Sequence, residues 1–157
     1  RSVASQILRH RSFSFQEFSQ RYAQVVNTPS LPNFRRQDTS NRQNSIDDLN
    51  EYTQQEFQIR TQDLFDQSLA LYNEMLAAGV AKECARDVLP LSTPTKLYMN
   101  GTLRSWLHYT ALRCANGTQL EHQTVANGVK QLLLEQFPII SEAMWSSRVS
   151  ETNEGVK

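Results

Sequence analysis

Six residues able to do chemistry fall within RHRSFSFQEFSQRY, residues 9 to 22: Arg9, His10, Arg11, Glu17, Ser19 and Arg21, interleaved with Phe13, Phe15, Phe18 and Tyr22. The stretch is too patterned for an idle loop and unlike a plain helix or strand, so it is either a surface charge cluster or a site. Further arginines stand beside turn signals at Arg86, Arg104 and Arg113. Arginine's planar fork holds a phosphate, or the paired oxygen and nitrogen edge of a pyrimidine, by two parallel hydrogen bonds. The bland alternative is that Arg9 and Arg11 complement a helix C-terminus, at about 0.3–1 kcal/mol, while the others are solvated.

Several other chemistries are weakened by composition and spacing. All five glycines are isolated, so no glycine-rich loop wraps a phosphate in backbone amides. His10, His108 and His122 lack a metal-binding spacing, and Cys84 and Cys114 have no ligand partner nearby in sequence, so no metal site is expected. Ser19 lacks the G-x-S-x-G elbow of a hydrolase nucleophile. The 16 basic residues balance the 16 acidic ones, so no global field draws the chain to nucleic acid or to an anionic membrane. Single-stranded nucleic acid remains an alternative through Arg9, Arg11 and the phenylalanines, with the neutral charge and Glu17 against it. There is no 18-residue apolar run and no C-x-x-C, and a reducing cytoplasmic setting is expected. Asn100-Gly101-Thr102 and Asn116-Gly117-Thr118 are glycan acceptor sequences, but Asn-Gly reads better as a turn or helix-end signal.

At 157 residues the chain has a single-domain length, and these residues need elements to hold them. Residues 2 to 10 read as a short helix capped by Ser2, with Val3, Ile7 and Leu8 on one face. Residues 22 to 26, YAQVV, read as a strand, followed by a polar Pro/Ser/Asn-rich loop up to Asp48. A helix is expected over residues 49 to 76, burying Tyr52, Ile59, Leu64, Phe65, Leu69, Tyr72, Met75 and Leu76 and stopped by Gly79. A short helix at residues 81 to 88 and a strand at 95 to 100 follow. Thr102 then caps a helix with an inward stripe of Leu103, Trp106, Leu107, Thr110, Ala111 and Cys114, which leaves Arg104 and His108 on another face. A helix over residues 119 to 136 carries Leu120, Val129, Leu132 and Leu133; a last turn spans 139 to 145, and the C-terminal SETNEGVK is expected to fray.

The residues resemble the flavin-dependent thymidylate synthases. That family's signature is R-H-R, seven residues, then Ser, matched by Arg9, His10, Arg11 and Ser19; its wider form is matched by Glu17, Arg21 and Tyr22. Gln16 and Gln20 depart from it, standing where Asn and Gly are common. ARDVLP at residues 85 to 90, LRSWLHYTALR at 103 to 113 and NGTQLEH at 116 to 122 are similar to the family's later blocks, in order and separation. The resemblance implies an α+β fold, helices packed around a small mostly antiparallel sheet, in one domain over residues 1 to 157. It also implies a homotetramer in which several subunits build each active site. The chain begins with Arg rather than Met, and an N-terminal portion of the family's domain is expected to be missing.

The same resemblance implies reductive methylation of dUMP to dTMP, with methylene-tetrahydrofolate as carbon donor and NADPH as reductant through bound FAD. Gln6, Arg9, Glu17, Ser19, Gln20, Arg21, Arg86 and Arg113 would contact dUMP. Arg9, His10, Arg11, Glu17, Thr102, Arg104 and His108 would contact FAD. Arg113 would favour an ionised uracil ring; because arginine stays protonated, it would act as a charge partner rather than a base. Ser19 would be a positioning hydroxyl, with a nucleophilic role as the less favoured possibility, and the phenylalanines would anchor the turn.

Overall fold

Asn50, Gly79 and Thr102 punctuate the chain, and each begins or ends an element as its chemistry requires. A computed structural model describes residues 2–27 and 29–145. They fall in two compact units, Arg1–Asn100 and Gly101–Lys157.

The first unit opens with helix α1, Ser2–Ile7, which buries Ala4 and Ile7. The helix is shorter than expected. Ser2 lies inside its first turn, Leu8 is exposed, and Arg9 and His10 fall in a turn closed by His10 N–H donating to Ile7 O at 3.0 Å. Strand β1, Ser14–Glu17, lies in the middle of the patterned stretch and pairs antiparallel with β4, Leu97–Asn100. Phe15 sits opposite Met99 and Glu17 opposite Leu97 on the covered face, while Ser14 and Gln16 face outward, the period-two alternation of a strand with one side covered. The strand expected at residues 22 to 26 does not form. Its ladder partner is taken by residues 14 to 17, and Tyr22 and Ala23 instead donate their N–H groups to Ser19 O in a turn.

The polar loop contains a small ribbon, β2 at Arg36–Gln37 paired antiparallel with β3 at Ser45–Ile46. Asp38 ties its tip by accepting from the Ser40 N–H and hydroxyl, the Asn41 N–H and the Asn44 amide. Those donors hold its carboxyl well below the ordinary aspartate range. Arg36 grips Asp48 through Nε and Nη2.

Helix α2, Glu51–Ala77, starts where the Asn50 side chain accepts from Thr53 N–H. It ends where Gly79, at φ +86°, allows the Gly79 and Val80 N–H groups to reach back to Leu76 O and Met75 O. Only Phe65 and Tyr72 are buried along it. Tyr72, Val25 and Ala85 form the centre of a cluster with Leu69, Met75, Leu76, Val80, Val88 and Leu89 around them. The expectation that Tyr52, Ile59 and Leu64 are buried is corrected: all three are exposed, Tyr52 at 77%. The packed stripe runs through 65, 69, 72 and 76, and those three side chains lie off it. Helix α3, Lys82–Ala85, and a 3-10 turn, Arg86–Val88, pack on α2, with Ser68 Oγ donating to Val88 O.

The second unit contains α4, Leu103–Arg113, α5, Leu120–Gln136, and α6, Pro138–Trp145. Thr102 caps α4 by accepting from Ser105 N–H at 3.2 Å. The expected stripe is covered to varying degree, but the most deeply buried large side chain of α4 is Tyr109, outside it. Its ring meets Trp106 edge-on at 5.9 Å and His122 at 5.8 Å, and its hydroxyl pairs with His122 Nε2 at 3.1 Å. The α5 face turned to the core is therefore His122, Ala126 and Leu133, while Leu120 and Leu132 are exposed. Gly117, at φ +90°, forms the turn that Asn116-Gly117 signals. The expectation of a frayed C-terminus lies outside the described residues. The described residues are thus helix-rich with two small antiparallel two-stranded sheets.

Candidate active site

The predicted residues divide between the units: Gln6 to Arg86 belong to the first, and Thr102, Arg104, His108 and Arg113 to α4 in the second.

In the first unit, the end of α1 places Arg9 and Arg11 on the surface, with His10 half-buried and its ring edge-on to Phe13 at 6.4 Å. Phe13 is buried and meets Phe15 at 6.2 Å, so these two anchor the stretch; Phe18 is exposed and does not. Glu17 lies on the covered face of β1, where Thr95 Oγ1 donates to its Oε1 at 2.9 Å. A half-buried carboxylate needs such a donor to be tolerated there.

The turn that follows is built on Ser19, whose hydroxyl accepts from Arg21 N–H at 3.3 Å and whose carbonyl accepts from Tyr22 and Ala23. Gln20 is only 3% exposed and lines a cavity of about 320 Å³ with Phe18, Val25 and Lys96. Among the described residues no non-glycine has a positive φ, so the turn is built without the left-handed freedom that a glycine at Gln20 would supply. Buried as it is, Gln20 offers little surface to a ligand. Beyond the turn, Val25 N–H donates to the buried Tyr72 hydroxyl at 3.0 Å, which fastens the turn to α2.

Arg21 and Arg86 are brought together by Glu83, which the sequence reading missed. Arg21 bonds the Glu83 carboxylate at 3.0 Å, and Arg86 Nε donates to the Glu83 carbonyl at 3.2 Å. An exposed pair of this kind contributes about 0–1 kcal/mol. Glu83 precedes Arg86 by three residues, a spacing at which helical neighbours meet, but its side chain goes to Arg21, and no spacing rule reaches that far.

In the second unit, Arg104 and His108 are exposed on one face of α4, as their spacing predicts, and the Thr102 hydroxyl is committed to its cap. Arg113 is half-buried in the last turn of α4. Burial pushes the Tyr109 phenol up, and the positive charge of Arg113 offsets part of that rise. Burial likewise pushes the Cys114 thiol up, which disfavours it as a nucleophile. Among the described residues no group of three or more His, Cys, Asp or Glu is placed to hold a metal ion, and no helix is long and apolar enough to cross a membrane.

The sequence family described as thymidylate synthase complementing protein matches residues 1–139. The chain belongs to this family. Its thymidylate synthase relatives include the probable flavin-dependent thymidylate synthase of Paramecium bursaria Chlorella virus 1, 53% identical over 92% of this chain and 67% of the relative. The flavin-dependent thymidylate synthase of Synechocystis sp. is 48% identical over 92% of this chain and 66% of its own length. The chain thus spans about two thirds of these relatives, and 47% of the Dictyostelium discoideum one. The fold is also that of the UMP/dUMP methylase PolB from Streptomyces cacaoi bound with 5-Br UMP, with a TM-score of 0.77 and 25% identity over 90% of this chain and 68% of that one.

Proposed function

We propose that the protein to which this chain belongs reductively methylates dUMP to dTMP, taking a methylene group from methylene-tetrahydrofolate and electrons from NADPH through bound FAD. The observation that carries this is the family match over residues 1–139, which contains every block of the signature. The nucleic-acid alternative is not favoured, because the matched relatives are flavin-dependent thymidylate synthases and, of the phenylalanines in the stretch, only Phe18 is exposed, Phe13 being buried and Phe15 half-buried.

Ser19, Gln20 and Arg21 form the nucleotide turn, with Gln20 buried beneath it. Gln6, Arg9, Glu17, Arg86 and Arg113 complete the dUMP contacts. Arg113 stabilises negative charge developing on the uracil ring, and Ser19 orients the turn rather than attacking. The residues assigned to FAD fit an anionic cofactor rich in acceptors. Arg9, Arg11, Arg104 and His108 are exposed and bonded to no carboxylate among the described residues, whereas Arg21, Arg36 and Arg60 are each salt-bridged. FAD supplies the hydride relay from NADPH; His10, Glu17 and Thr102 belong to its surroundings through the motif. The exposed apolar side chains of α2, among them Phe57, Ile59, Leu64 and Leu71, support burial against another subunit; the homotetramer with shared active sites follows from the family reading. Purified full-length protein is expected to be yellow and to release tritium from dUMP labelled at ring carbon five. A colourless protein indifferent to FAD and dUMP overturns the proposal.

A further inference from the structure

Two arginines assigned to the nucleotide meet on one acidic residue outside the signature blocks. Arg21 donates from Nε at 3.1 Å and Nη2 at 3.0 Å to a single oxygen, Oε2, of Glu83. The Arg86 Nε donates to the main-chain carbonyl of the same residue at 3.2 Å. The Arg21 and Glu83 side chains are 53% and 52% exposed, so water screens the pair and it adds little to stability. What it does is restrict a long, rotamer-rich side chain. Held along its Nε/Nη2 edge, Arg21 keeps Nη1 without a hydrogen-bond partner among the described residues, so a donor stays available while the side chain is fixed.

We propose that Glu83 is a positioning residue of the nucleotide site: its carboxylate holds Arg21 in place before an anionic nucleotide binds, next to Arg86, whose Nε donates to the main-chain carbonyl of the same residue. The inference rests on the reading of the protein as a dUMP methylase. Glu83 acts on the nucleotide in two opposed ways. Its acceptor oxygen removes the need to order Arg21 at binding, while its negative charge repels the incoming anion. Glutamine keeps the acceptor and loses the charge; alanine loses both. The difference between the two variants therefore isolates positioning.

The test compares full-length wild-type protein with Glu83→Gln and Glu83→Ala, reading kcat, KM for dUMP and direct dUMP affinity. KM in Glu83→Ala is expected about fivefold to tenfold above that of Glu83→Gln, with kcat within about twofold throughout, and Glu83→Gln at or below the wild-type KM. In an Arg21→Ala background the alanine-to-glutamine ratio should collapse to one, an outcome that a merely structural role would not give. A ratio near one with Arg21 present, or a defect confined to kcat, overturns the role of Glu83 while leaving the dUMP reading intact. Wild-type protein that binds no dUMP overturns that reading and this inference together.

Discussion

At the scale of single residues, the assigned roles separate by what each side chain already does in the fold. The Ser19 hydroxyl accepts from the Arg21 N–H, which shapes the turn. A positioning hydroxyl is dispensable in a way that a nucleophile is not. Ser19→Ala is therefore expected to keep measurable turnover, down about tenfold, whereas a nucleophile's loss would remove it. Arg113→Ala is expected to lower kcat at least about 100-fold, as when a group stabilising transition-state charge is removed. Size-exclusion chromatography should show its oligomeric state unchanged. Tritium release measures both variants, and near-normal turnover in Arg113→Ala would refute its assignment.

At the scale of elements, the site depends on fastenings that look structural. Tyr72→Phe removes the acceptor of the buried Val25 N–H and leaves that donor unsatisfied, which costs about 1–3 kcal/mol. Urea unfolding should show the loss of stability, and a raised KM for dUMP should accompany it, because Val25 fastens the segment that follows the Ser19 turn. In the ribbon at residues 36 to 46, Asp38 is held ionised by its donors, so its folded pKa lies below the unfolded value. The sign follows: its contribution to order is present above about pH 4, the unfolded aspartate value, and is lost as pH falls through the lower folded pKa. Carboxyl carbon NMR should find Asp38 titrating below the ordinary aspartate value. A titration at the ordinary value would contradict the hydrogen bonding around it.

At the scale of the whole molecule, α2 exposes Phe57, Leu64 and Leu71 at seven-residue spacing, one side of the helix, and the proposed tetramer gives them a partner. Leu64→Asp, at an exposed position, should leave the secondary structure intact while shifting the full-length protein to smaller species by light scattering. Activity should fall with it, since the sites are proposed to be shared. A variant that keeps both its assembly and its activity would remove α2 from that interface.

The sequence alone determined what depends on near neighbours. Thr102, Gly79 and Gly117 act within a few residues of themselves, so a cap, a stop and a turn could be read locally, and the in-register signature blocks identified the family from order and separation. The tertiary structure decided what depends on distant partners. Residues 22 to 26 read as a strand and the charged, aromatic stretch before them did not, and only the pairing of residues 14 to 17 with β4 reversed that assignment. Tyr109 and His122 look polar in sequence yet are buried, because each satisfies the other's polar atom inside the unit. Arg21 was legible as a candidate for the nucleotide site, but not the carboxylate that holds it. Glu83 is 62 positions away, and the chain must fold before either charge can feel the other.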